Sequence, residues 1–401
     1  MRVLIVGAGG VGGAIARATA DSDVFAHVAV ADVDETRARA VVDRCGDARF
    51  EAREVDAADS AAIRELAQLH GVDVILNACD PRFNPSIFAA AFDAGCHYVD
   101  MAMTLSQPDA ERPYEVPGVL LGAEQFSASD AWAERGLLAL VGMGVEPGLS
   151  DVFARYAADH LFSEVDEIGV RDGNDLVVEG HDFAPTFSIW TTIEECLNPP
   201  LVWERARGWF TTAPFSEPER FTFPEGIGTI ECVNVEHEEV LLIPRWVDCN
   251  RVTFKYGLGD AFIEVLRVLE KTGLASTRPV SVHGVEVSPR DVVAAVLPDP
   301  ATLGERMHGR TCAGTWVTGT GLDDARREVY LYHIADNAET MARHGAQAVV
   351  WQTAINPVVA LEMLASGVWD GVGVLGPEAF DAVPFLDRMR ARGEECTIQE
   401  R

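Results

Sequence analysis

Lysine is nearly missing from this chain of 401 residues: Lys255 and Lys271 are the only two, and arginine supplies almost all other positive charge. Acids so outnumber bases that the formal net charge at pH 7 is -31. Without a basic run the chain lacks the footprint that nucleic acid or an anionic membrane surface requires, so neither is an expected partner. The acidity suits polycationic small molecules such as diamines, although it speaks first to solubility. The eight cysteines are scattered, with no CxxC pair and no dense framework. That pattern implies reduced thiols in a cytoplasmic chain, with no disulfide scaffold and no metal site. Long apolar runs are missing as well. The best, GLLALVGMGV, falls short of the roughly 18–20 residues of a membrane span, and Val3 to Val6 is too short for a secretory leader. What remains, 48% apolar and 24% charged residues, is the composition of a globular protein. Its length implies two domains of roughly 100–200 residues each.

The first of these is legible from its turns. In MRVLIVGAGGVGGAIARATADSD, a short apolar strand meets Gly7, Gly9 and Gly12 in GxGxxG spacing, and a helix starts near Val11. The first glycine permits the tight turn, the second lets backbone approach a pyrophosphate, and the third lets helix and strand pack closely. Gly10 and Val11 then present unpaired N–H groups at the positive end of the helix. A second strand, HVAVAD, ends in Asp32, about 20 residues on, where a carboxylate can hold the adenosine ribose. Asp32 and Asp34 occupy the place of a 2′-phosphate, and Arg37 follows too late to be its obvious partner, so NAD is the expected cofactor. Asp56, after a further strand, is either an adenine-edge contact or a helix N-cap. Asn77 and Ala78 end the strand VDVILN, whose carboxyl end should face the nicotinamide.

Beyond Asp166 the texture changes to aromatics, prolines and β-like runs such as TFSIWTT, LVWERARGWF and RVTFKYGLG. The expected fold is therefore α/β: a Rossmann-type doubly wound parallel sheet over residues 1–150, then an α+β substrate domain, largely antiparallel, over 151–340. That domain is inserted before a helical C-terminal segment, 341–401, which returns to the nucleotide domain.

The order GxGxxG, VDVILNACDP, GCHYVDMA, GVEPGLSDVFA and then a β-rich middle resembles the saccharopine dehydrogenase-like family. Its members are nicotinamide enzymes that make or break C–N bonds at amino acids and polyamines. In the C-terminal half, EHEEVLLIP, AAVLPDPATLGERMHGRTCAGTWVTG and QAVVWQTAINPVVALEMLASGVWDGVGV look like carboxynorspermidine dehydrogenases, which reduce the imine between a diamine and aspartate semialdehyde. ADVDET is closer to the lysine 6-dehydrogenases of the same family, which use NAD. The resemblance implies an oxidoreductase of CH–NH bonds, working as a homodimer on a small amine or amino acid. Oxidative deamination of the lysine 6-dehydrogenase type is the rival, and a non-catalytic NAD-binding sensor a third reading.

Such chemistry needs a positioned hydride, a group that moves the amine proton, and carboxylates for ammonium ends. In VNVEHEEVLLIPRW, read as a strand, His237 and Glu239 share one face while Glu238 points away. His237 titrates in the right range, and Glu239 matches an acidic position of the polyamine enzymes; the bland reading is a solvated strand edge. Asp80 and Arg82 either orient substrate or bond within their loop. Glu146, in the turn Glu146-Pro147-Gly148, is a further candidate for substrate binding. Trp190 walls the pocket or belongs to a core, and Lys255 reads as a surface residue.

Overall fold

Val3, Leu4, Ile5 and Val6 are all inaccessible to solvent, the signature of a strand covered on both faces. In the computed structural model, which describes residues 1–401, they lie in β1 (Arg2–Val6), followed by α1 (Gly10–Ala20). Next come β2 (His27–Asp32), α2 (Glu35–Cys45), β3 (Phe50–Glu54), α3 (Ser60–His70), β4 (Val74–Asn77), α4 (Asn84–Ala94), β5 (His97–Asp100) and β6 (Leu138–Leu140). The sheet runs Gly373–Leu375, β6, β5, β4, β1, β2, β3, with every pair parallel. Strand order reverses at β1, which has β2 on one side and β4 on the other. A crevice therefore opens above the carboxyl ends of β1 and β4.

The second layer is a mixed nine-stranded sheet. Its central strand, Phe162–Asn174, pairs parallel with Arg251–Gly257 and antiparallel with Arg310–Gly321. In that parallel register Asp172 sits beside Tyr256, and Arg171 beside Lys255 on the opposite face. Lys255 is thus buried, its Nζ 2.8 Å from Glu219, and the expectation of a surface lysine is corrected.

Two stretches expected to be β are helical. TFSIWTT opens the helix Ile189–Leu197, which Ser188 caps, and EVLLIPRW forms the helix Glu239–Trp246. The second has Val240, Leu241, Leu242 and Ile243 all inaccessible, and an apolar run buried on every side shows neither period. Glu239 lies in its first turn, where the helix dipole favours a carboxylate.

The C-terminal segment serves both layers. The helix Ala348–Ala365 packs against α1, Gly373–Leu375 extends the parallel sheet, and Cys396–Glu400 pairs with Arg326–Asp336 in the other. This helix is long and apolar enough to cross a membrane, contrary to the estimate from apolar runs, but most of it is buried within the protein. Glu362, near its end, accepts paired contacts from Arg388 (2.6 and 2.9 Å) and Arg392 (2.6 and 3.1 Å), and Arg392 also reaches Ala18 O. Burial opposes its ionisation, but the two guanidiniums outweigh that and hold the carboxyl at about 2. A depressed carboxyl contributes stability above its unfolded value near 4.5, and that contribution is lost as pH falls through about 2. Glu362→Gln is expected to cost about 3 kcal/mol in urea unfolding at pH 7, since it strands two arginines. An unchanged midpoint would show the clamp to be idle.

Candidate active site

The nucleotide end of the crevice is built by glycines. Gly7 has φ +106°, a conformation that favours glycine, and a Cβ on Gly12 would lie 1.9 Å from Gly7 O. A Cβ on Gly9 would meet nothing within 4 Å, and Gly9 caps α1 without a side-chain hydrogen bond. The loop thus offers open space beside free backbone donors, and a dinucleotide pyrophosphate fits it. Asp32 closes the adenosine side, its carboxylate accepting from Ala8 N (2.8 Å) and Asp34 N (3.0 Å). Arg37 reaches this corner after all, with Nη1 3.5 Å from Asp32. Asp56 is exposed just past β3 and accepts from Ala58 N, while the N-cap of α3 is Asp59.

Gly9, Gly10, Val11, Asn77 and Ala78 line a cleft of about 310 Å³ between the layers. Asp80, Asp100, Glu146, Asp172, Glu195 and Asp299 line it too, with His237 and without a single lysine or arginine. Six parts of the chain bring these acids together: the ends of β4 and β5, the turn before the helix Leu149–His160, the central strand of the second sheet, the helix Ile189–Leu197, and Asp299 at the start of the turn Pro300–Thr302.

His237 stands in the loop before the helix Glu239–Trp246, stacked on Phe254 with ring centroids 3.8 Å apart and planes 6° from parallel. Its Nδ1 lies 2.5 Å from Glu239 Oε2, which leaves Nε2 as the free ring nitrogen. Ser150 donates to the other oxygen of Glu239 at 2.9 Å, and Thr315 donates to Ser150 O. Burial alone would keep the imidazole neutral, but Glu239, with Glu238 and Glu195, pushes it up to about 10. It is an imidazolium at neutral pH.

Around it the carboxyls are divided by charge. Burial, reinforced by Asp172, drives Glu146 well above the usual carboxylate range. Burial raises Asp172 less, to about 6, because Glu146 donates to it. Burying the two carboxyls side by side favours a proton held between them. Asp172 Oδ1 is shielded yet has no hydrogen-bond partner within the protein. Burial pushes Glu195 up to about 8. Such oxygens suit an ammonium or guanidinium.

Sequence reasoning placed several of these residues differently. Glu239 does not face the cleft; it lies behind His237, fully buried, because the chain has already turned helical. Glu238 is absent from the lining, as expected of a residue pointing away from it. It is buried, accepts from Met103 N at 3.1 Å and lies 3.5 Å from His237 Nδ1. Asp80 lines the cleft mouth but spends its carboxylate on Arg82, through N (3.0 Å) and Nε (2.9 Å). Arg82 and Trp190 are absent from the lining. Trp190 is buried between the Arg82 and Arg290 guanidiniums, 4.2 and 4.7 Å from its ring, and donates to Asp291. Asn77 bonds Asn84 and Tyr98. Asp172, Glu195 and Tyr256 were missed; Asp172 stands beside Arg171 in a polar stretch and Glu195 follows Glu194, so neither acid stood out in the sequence.

The comparisons with known proteins agree with this geometry. Residues 3–140 match the model for the saccharopine dehydrogenase NADP binding domain, and residues 144–394 that for the saccharopine dehydrogenase C-terminal domain. Carboxynorspermidine synthase of Vibrio alginolyticus is 30% identical over 410 residues, covering 100% of this chain and 97% of that one. Carboxyaminopropylagmatine dehydrogenase of Synechocystis is 29% identical over 393 residues, covering 98% and 96%. The apo saccharopine dehydrogenase (L-Glu forming) of Saccharomyces cerevisiae superposes with a TM-score of 0.71 over 100% of this chain and 99% of its own, at 12% identity, which shows a shared fold. The chain belongs to the saccharopine dehydrogenase family, NAD(P)-dependent oxidoreductases that act on CH–NH bonds.

Proposed function

We propose that the protein joins a dicationic amine to a small amino-acid semialdehyde by reducing the imine between them, with NAD(H) preferred. The observation that carries this reading is the cleft itself: six acidic side chains and one histidine, with no lysine or arginine, above a glycine loop. A diamine or a guanidino-bearing amine finds the acidic side chains Asp172 and Glu195 there, with no lysine or arginine to repel it. The names of the two bacterial relatives point the same way. The nicotinamide, when bound, supplies the hydride. His237, through Nε2, gives the proton that lets hydroxide leave the carbinolamine as water and takes it back from the next amine. Glu239 holds the ring and favours its charged form. Hydroxyls of Ser188, Thr191 and Thr192, at the N-terminus of the helix Ile189–Leu197, are where the semialdehyde carboxylate is read to sit.

The test is NAD(P)H absorbance with a panel of diamines and guanidino amines against aspartate semialdehyde. Consumption that depends on both partners is expected. Oxidation of lysine alone with release of ammonia would favour the deaminase reading, and tight nucleotide binding without any turnover the sensor. For the nucleotide, calorimetry should give tighter NAD than NADP, because the Asp32 carboxylate repels a 2′-phosphate. Asp32→Ser should narrow that gap by roughly tenfold or more, freeing Arg37 for the phosphate. Equal affinity of the unmutated protein for both nucleotides would contradict it. The same reading makes the enzyme a cytoplasmic homodimer, supported by the exposed Val280, Val282 and Val285 of one hairpin; a monomer in sedimentation would remove that part.

A further inference from the structure

A second histidine–carboxylate cluster lies at the other end of the parallel sheet. His27 opens β2, Glu51 lies on the neighbouring β3, and His70 is the last residue of α3. Ala29 is the register partner of Glu51, and His27 shares its face, so strand geometry aims His27 and Glu51 to the same side. Glu51 Oε1 lies 2.9 Å from His27 Nε2 and 2.5 Å from His70 Nδ1. The two rings lie 5.5 Å apart, tilted by 13°.

Despite these separations, neither Glu51 Oε1 nor His27 Nε2 has a hydrogen bond of acceptable geometry, although both atoms are shielded from solvent. The contrast with His237 is direct, since there a 2.5 Å approach is an aligned hydrogen bond. At His27 and His70 the nitrogens approach the same oxygen without aiming at it, and all three ligand atoms lie within 4.8 Å of one another. Two imidazole nitrogens and a carboxylate oxygen thus stand close together, two of these atoms shielded and without a hydrogen bond.

We propose that His27, Glu51 and His70 bind one divalent zinc ion, with water as the fourth ligand. Zinc takes imidazole nitrogen and carboxylate oxygen at about 2.0–2.2 Å, so tetrahedral neighbours stand about 3.3 Å apart, and the present separations need open by less than about 1 Å. Two cations face the cluster. Arg2 donates to His70 O at 2.7 Å, and Arg53 donates to His70 Nε2 at 3.2 Å. Metal on Nδ1 puts the ring hydrogen on Nε2, so Arg53 must release His70, keeping Ala52 O and Glu51 Oε2. These charges set the affinity nearer micromolar than nanomolar. The site lies at the amino ends of β2 and β3, opposite the nucleotide, so its ion fastens the edge strand and α3 to β2 and takes no part in the reaction.

Chelator-stripped protein dialysed against about 10 μM zinc should retain one equivalent and melt a few degrees higher. His27→Ala, His70→Ala and the more conservative Glu51→Gln should each lose the ion and the shift, with circular dichroism confirming that they fold. Cobalt(II) should give a visible tetrahedral band that the same variants lack. His237→Ala should keep the equivalent, which separates this cluster from His237–Glu238–Glu239. No retained zinc, or retention unchanged by the His27, Glu51 and His70 replacements, overturns the proposal.

Discussion

His237→Ala is expected to lower kcat/KM by roughly 10²–10⁴-fold while nucleotide affinity stays unchanged, the usual scale for a lost acid–base group. His237 lies on the cleft wall and its free nitrogen is Nε2, whereas the glycine loop and Asp32, the proposed nucleotide contacts, belong to other elements. The pH profile separates chemistry from mere packing on Phe254. The imidazole must be charged to give its proton, so kcat/KM in the condensing direction should fall as pH rises through about 10. On the acid side it should fall as Glu195 and Asp172 take up protons, between about 8 and about 6, because neutral carboxyls no longer hold an ammonium. In His237→Ala the basic limb should vanish and the acid limb remain. Glu239→Gln, acting from behind the ring, should move the basic limb to lower pH and lower kcat more than it raises KM. A His237→Ala enzyme with an unaltered profile would remove this residue from the chemistry.

Gly12→Ala is expected to weaken dinucleotide binding by roughly 10²-fold. A Cβ 1.9 Å from the Gly7 carbonyl cannot be accommodated by a rotamer change, since the obstacle is backbone. The loop must shift, and overpacking of this sort typically costs 1–3 kcal/mol, about the size of the affinity lost. Gly9→Ala is the informative contrast. Its methyl meets only open space, so the apo protein should melt normally and the loss should appear only on titration with nucleotide, by fluorescence. Wild-type affinity in Gly12→Ala would mean that α1 can part from β1 at no cost.

The nucleotide half was legible because its signals are local. A four-residue apolar strand, three glycines at fixed spacing and an acid ending β2 specify a turn, a helix start and the next strand's end within one βαβ unit. The substrate half was not, because its determinants are tertiary. The run from Val240 to Ile243 is apolar on every side and carries no period, so the helix there was invisible and the roles of Glu238 and Glu239 were assigned by an alternation that does not exist. Trp190 was left between pocket wall and core because nothing in its own segment shows that Arg82 and Arg290 both lie against its ring. Arg37 was discounted on chain spacing, yet one turn of α2 returns it to Asp32. The absence of CxxC spoke only to cysteine ligands, and it could not reveal two imidazoles meeting a carboxylate from separate elements.

The division of the C-terminal segment between the two layers bears on how ligands enter. The backbone crosses from the parallel sheet to the mixed one after β6, returns after Asp336 to reach Gly373–Leu375, and crosses again to end at Cys396–Glu400. A lobe joined to its neighbour by one strand of chain can swing like a door; three crossings act as three hinges on different lines, which lock one another. Under the proposed reaction, amine, semialdehyde and nucleotide would then thread in through the open mouth of the cleft and the product leave the same way, with loops giving ground.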